Sequence, residues 1–176
     1  MTVEEVTPDD WAEHSAPREL DWNSVYKDQL PRLYNYFRFR TGRDADVEDL
    51  TARTFEKAWK ARNRYRRDLA GFSTWLFSIA RNVATDYLRS ERAHLPMEAA
   101  IHVAAESTPE DAVAHKSDLA RLAKLMPLLS DRQQELVALK YGATLNNRLI
   151  AGITGLSESN VGTVLARAVE KLRAQW

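Results

Sequence analysis

The sequence predicts an all-α protein made of two small helical domains joined by a flexible linker. Glycine and proline number only six each in 176 residues. Apolar residues recur at helical spacing through most of the chain, and a stretch without firm periodicity separates two blocks of helices. The predicted divisions are an acidic N-terminal extension at 1–23, a first domain at 24–92, a linker at 93–117 and a second domain at 118–176.

Three helices are predicted in the first domain. In Tyr26–Phe39 apolar residues recur at intervals of three and four, and Gly42 ends this helix. The second helix, Asp44–Ala61, has acidic residues in its first turns and lysines in its last, as the helix dipole favours. The third helix has the most regular apolar stripe in the chain, which runs from Phe72 to Tyr87.

Four helices are predicted further along the chain. The first runs from Thr108 to Leu129 and opens with a capping threonine and a proline. Ser130–Gln133 has the pattern of a capping box and starts a helix that ends near Gly142. A short helix over Asn146–Ile153, a glycine turn and a final helix over Ser157–Gln175 complete the second domain.

Charge is segregated along the chain although the formal net charge is zero. The extension 1–23 has a net charge of −6 and the first domain, 24–92, has +6. The linker, 93–117, has −3 and the second domain, 118–176, has +3. Two basic blocks between acidic segments favour binding to a polyanion, which the overall sum would conceal.

Several classes of function are excluded by what the sequence lacks. There are no cysteines, so disulfides, thiolate metal sites and cysteine nucleophiles are excluded. No apolar run approaches the roughly 20 residues of a membrane span, and the acidic start after Met1 is unlike a secretory signal. There is no phosphate-binding glycine loop, and the four histidines lack metal-ligand spacing. We therefore expect a cytoplasmic binding protein that is not an enzyme and has no cofactor and no metal site.

A helix-turn-helix pattern lies near the C-terminus. Ile150 lies on a short helix, Gly155 forms the turn and Ser157 starts the second helix. The first residues of such a second helix face the major groove of DNA. The alternative interpretation is an ordinary αα-hairpin with a glycine turn. Polar candidates for DNA contact follow the turn, but basic candidates stand only at Arg148, Arg167, Lys171 and Arg173.

A basic stretch with interleaved aromatic residues, Arg62–Arg67, precedes the third helix. Arginines neutralise phosphates and unstacked bases lie on rings or guanidinium planes, so this pattern favours single-stranded nucleic acid. The alternative is a solvated turn beside aromatic residues of the core. For Trp75, which lies in the apolar stripe, the core is the better interpretation. For Arg64, Arg66 and Arg67 we favour a nucleic-acid role.

These motifs, in this order, resemble the alternative sigma factors of bacterial RNA polymerase. The closest group is the extracytoplasmic-function (ECF) subfamily of the sigma-70 family, which keeps regions 2 and 4. The matching residues are Asp46–Leu50, Thr54-Phe55 and Ala58-Trp59 in the second helix, Phe72–Asn82 and Asp86–Arg89 in the third, and Leu128, Ser130, Arg132, Ile150-Ala151, Leu156-Ser157, Val161, Arg167-Ala168 and Leu172-Arg173 in the second domain.

The resemblance implies that the first domain is the region 2 helical bundle, which binds core polymerase, recognises the −10 element and melts DNA. The second domain would be the region 4 helix-turn-helix domain, which recognises the −35 element. The implied polymerase-binding residues are Asp46, Glu48, Asp49, Leu50, Phe55 and Trp59. The implied −10 residues are Asn63, Arg64, Tyr65, Arg66, Arg67, Arg81, Asn82, Asp86 and Arg89. The implied −35 residues are Arg148, Ser157, Ser159, Asn160, Thr163, Arg167 and Lys171.

The partners implied by the resemblance are core RNA polymerase, through its β′ clamp helices and β flap, promoter DNA and an anti-sigma factor. A chain that is monomeric when free of partners, with no membrane contact, is expected. The rival interpretations are a helix-turn-helix repressor or activator, normally a dimer on a palindrome, and a helical interaction module without DNA binding. A further hypothesis is that the acidic extension folds over a basic face of the first domain and restrains DNA binding.

Overall fold

The computed structural model describes residues 20–94 and 114–176, and these residues form helices and turns without any strand. The all-α prediction is therefore confirmed. Across these two ranges, none of the helices has both the length and the hydropathy to cross a membrane. The helices are α1 (Trp22–Thr41), α2 (Asp44–Lys60), α3 (Phe72–His94), α4 (Ala114–Leu125), α5 (Asp131–Val137), α6 (Asn147–Thr154) and α7 (Glu158–Arg173).

α1, α2 and α3 pack against one another as a three-helix bundle. α1 begins at Trp22, four residues earlier than the periodicity from Tyr26 predicts, because the Asp21 side chain caps it by accepting a hydrogen bond from the Asn23 amide at 3.1 Å. Gly42 ends α1 in the left-handed conformation at φ 67°, which a residue with a Cβ rarely adopts. The first two residues of α1 thus come from the predicted extension 1–23.

Aromatic side chains fill the contact between α1 and α3. Tyr36, Phe37 and Phe77 are fully buried. The Tyr36 ring lies 5.1 Å from that of Phe37 and 5.8 Å from that of Phe77, both edge to face. This is the preferred geometry for aromatic pairs. Burial raises the pKa of Tyr36, whose hydroxyl has no hydrogen-bond partner among the described residues.

α5, α6 and α7 form the second group of helices, and α4 leads into it through a 3₁₀ turn at Met126–Leu128. The predicted start of α4 at Thr108 lies outside the described residues. The helix predicted from Ser130 to about Gly142 is α-helical only in its first part. Its α-helical part ends at Val137 and continues as a π-helical turn over Ala138–Gly142, where the chain bends towards α6.

The two groups of helices pack directly against each other. α1 contacts the π-helical turn and α5, and α3 contacts α6. The buried apolar residues form one cluster that spans both groups. The approach is closest at Gly142, where an added Cβ would lie 2.7 Å from Phe39 Cδ2 and 2.9 Å from the Asn35 carbonyl oxygen. Only glycine fits between these atoms without a shift of α1 or the turn.

Ser130 supports α5 through the capping box that the sequence predicts. Its hydroxyl accepts a hydrogen bond from the Gln133 amide at 3.3 Å, and the Gln133 side chain accepts one from the Ser130 amide at 3.1 Å. We expect Ser130→Ala to lower the free energy of unfolding by about 1 kcal/mol, which corresponds to roughly 2–4 °C in Tm for a chain of this size. Circular dichroism melts would measure the change. Ser90→Ala, at an exposed position within α3, is the control, and equal losses in both variants would contradict the prediction.

Candidate nucleic-acid interface

The basic loop between α2 and α3 carries the first predicted nucleic-acid site. Asn63, Arg64, Arg66 and Arg67 are exposed there. Arg66 is held by Asp68, with Nε and Nη2 donating to the two carboxylate oxygens at 2.9 and 2.7 Å. Arg64 and Arg67 make no ion pair with any residue in 20–94 or 114–176. Their guanidinium groups are therefore available for phosphates or bases.

Aromatic side chains anchor this loop to the bundle. The Tyr65 ring lies 5.5 Å from that of Phe72 and 5.0 Å from that of Trp75, and all three are partly buried. Trp75 packs against the core, as the apolar stripe predicts. Tyr65 therefore fixes the loop to the start of α3 and offers only part of its ring for stacking on a base.

The predicted −10 residues of α3 divide between two environments. Asn82, Asp86 and Arg89 are exposed and share one face of the helix, since their spacings are four and three. Arg81 points elsewhere. Its side chain is 32% exposed, and its Nε donates to Glu135 Oε1 of α5 at 2.6 Å. The exposed face of α3 and the arginines of the loop are therefore the accessible part of the predicted −10 surface.

The exposed side of α2 carries most of the predicted polymerase-binding residues. Glu48, Phe55 and Trp59 follow one stripe at spacings of seven and four, with Phe55 partly buried and Trp59 47% exposed. Asp49 lies on the adjacent stripe and pairs with Arg53 at 2.8 Å. A half-exposed tryptophan is typical of a protein contact surface.

Leu50 and Asp46 differ from the other predicted polymerase-binding residues, because both are engaged within the fold. Leu50 is 1% exposed, so the prediction of direct contact is corrected for it. It faces the core because it is one helical step round from Asp49. Asp46 accepts a hydrogen bond from the Tyr87 hydroxyl at 2.6 Å and pairs with Arg43 at 3.2 Å. Burial and this bond to Asp46 raise the pKa of Tyr87, and the bond ties α2 to α3.

α6 and α7 form the predicted helix-turn-helix. Gly155 makes the turn at φ 73°, and the Ser157 hydroxyl caps α7 by accepting from the Asn160 amide at 3.1 Å. Ile150 and Val161 are fully buried where the two helices meet. All seven predicted −35 residues are exposed, namely Arg148, Ser157, Ser159, Asn160, Thr163, Arg167 and Lys171. Thr163 donates to the Ser159 carbonyl at 3.1 Å, so its hydroxyl oxygen keeps its capacity to accept.

Two residues outside the implied site residues, Trp22 and Arg62, link the basic loop to α2. Trp22, which was assigned to the extension, packs edge to face on Trp59 at 5.2 Å and on Phe72 at 5.9 Å. Arg62 lies over the Trp59 ring at 4.1 Å and donates to its carbonyl oxygen at 2.8 Å. Asp21 is a typical N-cap residue, and this signal could have predicted that α1 begins at Trp22. Together these contacts join the loop to the exposed side of α2.

The described residues contain no group of three or more histidine, aspartate or glutamate side chains that could hold a metal ion. The acidic residues near the start of α2 show why. Asp46 is engaged by Tyr87 and Arg43, while Asp49 turns away to Arg53. Asp46 and Asp49 are thus held by different partners and do not converge on one point.

Comparison with known proteins finds sigma factors that match most of the chain. Residues 25–94 match the family model for sigma-70 region 2. The ECF RNA polymerase sigma factor BldN of Streptomyces coelicolor is 31% identical over 84% of this chain, which spans 57% of BldN. The ECF sigma factor SigM of Bacillus subtilis is 27% identical over 88% of this chain and 94% of SigM. The sigma factor CnrH of Cupriavidus metallidurans is 31% identical over 74% of this chain and 73% of CnrH.

Solved structures support the fold. CnrH in complex with the cytosolic domain of CnrY aligns with a TM-score of 0.67 over 93% of this chain and 92% of CnrH, at 23% identity. RpoE in complex with the anti-sigma factor NepR, from Bartonella quintana, aligns with the same TM-score over 88% of this chain and 95% of RpoE, at 22% identity. These structural matches show the fold, and the sequence matches, above all the 31% identity to CnrH over 74% of this chain and 73% of CnrH, show that the chain belongs to the ECF group of the sigma-70 family of RNA polymerase sigma factors.

Proposed function

We propose that this chain is an alternative sigma factor that binds core RNA polymerase, directs it to promoters with −10 and −35 elements and assists DNA melting. The observation that carries the proposal is the presence in one chain of two different exposed surfaces whose chemistry suits nucleic acids. One is a basic aromatic loop continued by the exposed face of α3, and the other is an exposed helix-turn-helix. The first suits single strands and the second suits duplex DNA. A promoter that is being melted contains both single strands and duplex DNA.

The −10 surface has the chemistry that strand capture requires. Arg64 and Arg67 are exposed on a loop that Tyr65 anchors, so they reach phosphates without being held by a carboxylate among the described residues. Asn82 and Asp86 supply amide and carboxylate groups that hydrogen-bond to base edges. The loop and α3 meet at Phe72, so a displaced strand lies along both.

The −35 surface reads duplex DNA with polar rather than basic residues. The first half of α7 has hydroxyl and amide groups at Ser159, Asn160 and Thr163, and its first basic residue is Arg167. Phosphate contacts dominate the affinity of proteins for DNA, so this domain binds its element weakly by itself. Its attachment to the first domain raises its effective concentration at the promoter.

The side of α2 that carries Trp59 is the proposed contact with the β′ clamp helices, and the second domain is the proposed contact with the β flap. The chain supplies no chemistry of its own and acts in the cytoplasm, where the polymerase is. The solved relatives CnrH and RpoE were captured with CnrY and with the anti-sigma factor NepR, respectively. We propose that an anti-sigma factor likewise controls this chain.

Run-off transcription tests the proposal. Purified chain and bacterial core polymerase are incubated with genomic promoter fragments, beside the double variant Asp49→Ala/Trp59→Ala. We expect discrete start sites with the unmodified chain and a loss of at least tenfold with the double variant, because truncated anchors at an interface centre typically cost 2 kcal/mol or more.

Two controls separate loss of contact from loss of fold. Lys57→Ala/Lys60→Ala changes two exposed side chains near the end of the same helix and is expected to keep most of the activity, and circular dichroism melts report whether each variant is folded. Absence of transcripts together with tight duplex binding by the chain alone would favour an autonomous repressor. Absence of both would favour a helical interaction module.

A further inference from the structure

A small cleft opens between the two halves of the molecule, the helices α1–α3 and the helices α4–α7. Its volume is about 240 Å³. The end of α1, the last turns of α3 and the first residue of α5 meet there, and the lining residues are Arg40, Thr85, Leu88, Arg89, Arg92 and Asp131. Three guanidinium groups therefore share the cleft with one carboxylate, so its lining has a net charge of +2, from three positive groups and one negative group.

One face of α3 supplies two of the three arginines. Arg89 lies four residues after Thr85, and Arg92 lies three residues after Arg89, so these side chains share one side of the helix. Arg89 is exposed and makes no ion pair with any residue in 20–94 or 114–176. Its guanidinium donors are therefore available to an anion in the cleft.

Arg40 of α1 is the most enclosed of the three arginines. It is partly buried, whereas Arg89 and Arg92 are exposed. Its Nη1 atom is buried without a hydrogen-bond partner among the described residues, which also offer it no ion pair. A buried donor of a charged group costs free energy when it has no partner. An anion in the cleft would balance this charge and would lose little to ordering, because burial already restricts the side chain.

Arg92 has a carboxylate partner, but the pair is weak. Arg92 of α3 pairs with Asp131 at the start of α5, and their side chains are 63% and 58% exposed. Ion pairs with this exposure contribute little to stability. Arg92 therefore exchanges this carboxylate for a more highly charged anion at small cost, while Asp131 opposes any anion in the cleft by its own negative charge.

From these observations we infer that the cleft is a binding site for a phosphate-type oxyanion, held by Arg40, Arg89 and Arg92. Planar guanidinium groups bind phosphate oxygens through paired hydrogen bonds. The cleft is smaller than the roughly 300–1,000 Å³ of pockets for drug-sized ligands, so it suits a phosphate or pyrophosphate group and leaves no room for a whole nucleotide. Such a group belongs either to a free anion or to a nucleic-acid backbone. The inference goes beyond the proposed function and does not require promoter recognition.

Calorimetric titration of the full-length chain with inorganic pyrophosphate tests the inference, at an ionic strength held constant with sodium chloride. We expect saturable binding at one site per chain. Arg92→Gln is expected to weaken this binding by about tenfold, the usual loss for one charged hydrogen bond. The matched control is Arg53→Gln, which is expected to bind as the parent does. Arg53 is 61% exposed on α2 and pairs with Asp49, much as Arg92 pairs with Asp131, but it lies outside the cleft.

Asp131→Asn gives a prediction of the opposite sign. It removes the carboxylate of the cleft at nearly constant shape and frees Arg92, so pyrophosphate binding is expected to tighten by about fivefold. Both variants break the same ion pair. If that pair served only the fold, the two variants would change pyrophosphate binding in the same direction. Arg40→Gln is expected to weaken binding as Arg92→Gln does, and circular dichroism melts report whether each variant is folded.

Three results would each overturn the inference. They are the absence of saturable pyrophosphate binding by the parent, equal losses in Arg92→Gln and Arg53→Gln, and unchanged or weaker binding by folded Asp131→Asn. If Arg40→Gln fails to fold, the exposed pair Arg92 and Asp131 decides the test. The titration involves neither polymerase nor promoter, so failure of the proposed function is recognised separately.

A second measurement distinguishes the two sources of the phosphate group. Fluorescence anisotropy reports the affinity of the parent and of Arg92→Gln for a labelled single-stranded oligothymidylate, with and without pyrophosphate. If Arg92→Gln weakens both ligands and pyrophosphate displaces the oligonucleotide, the site takes a backbone phosphate. If Arg92→Gln weakens pyrophosphate alone, the site takes a free anion. Both results support the oxyanion site, because both depend on the same guanidinium group.

Discussion

Phe77→Ala is expected to lower the free energy of unfolding by about 3–5 kcal/mol, the usual cost of deleting a buried phenylalanine. Phe77 is fully buried in α3, lies edge to face with Tyr36 of α1 at 5.8 Å and has the Arg32 guanidinium 5.6 Å from its ring. Its removal leaves a cavity that the bundle fills only in part. Since whole domains are stable by about 5–15 kcal/mol, this one change brings the first half close to its unfolding threshold.

Urea unfolding followed by circular dichroism measures this loss. Phe77→Leu is the matched variant, because it keeps most of the apolar volume and is expected to cost less than about 1.5 kcal/mol. The midpoint of Phe77→Ala should fall well below that of Phe77→Leu with similar slopes. Indistinguishable midpoints would mean that the contact between α1 and α3 does not depend on this ring.

The second large effect is expected at the basic loop. Arg64→Gln/Arg67→Gln removes two exposed guanidinium groups that pair with no carboxylate in 20–94 or 114–176. Each charged hydrogen bond to a phosphate contributes on the order of tenfold in affinity. Each lost contact to a single strand also reduces the slope of log affinity against log salt by about 0.7. We therefore expect single-strand affinity to fall by roughly a hundredfold and the slope to flatten by about 1.4.

Anisotropy titrations with a labelled single strand at several salt concentrations measure both quantities. Lys57→Gln/Lys124→Gln is the control, because it removes the same net charge from exposed positions outside the proposed −10 surface. Its slope should stay close to that of the parent chain. If the two double variants lose affinity equally, the effect belongs to the overall charge of the protein and the loop has no special role.

Local signals in the sequence were sufficient for most of the secondary structure. Gly42 and Gly155 end helices in the left-handed conformation, and Ser130 and Ser157 cap the helices that follow them. These devices act through hydrogen bonds between residues two to five positions apart, so a sequence displays them directly. The helix-turn-helix and the basic loop were also predicted, because the residues that mark each of them lie within a short stretch of sequence.

Burial on α2 was harder to predict. Asp49 and Leu50 are neighbours in one motif, and the resemblance placed both on the polymerase contact. In the structure Asp49 is exposed while Leu50 is 1% exposed. Consecutive residues point about 100° apart on a helix, and only the packing of α2 against α1 and α3 decides which side is covered.

The sequence by itself therefore determined the all-α class, the order of the helices, most of their caps and the positions of the helix-turn-helix and the basic loop. The tertiary structure alone decided that the halves pack together, that Gly142 lies against α1 and that Arg81 meets Glu135. The partners in these contacts are 54 residues apart for Arg81 and Glu135 and 111 apart for Arg32 and Ala143. No periodicity or capping pattern encodes such pairs, because they form only when separate helices have already folded and their surfaces fit.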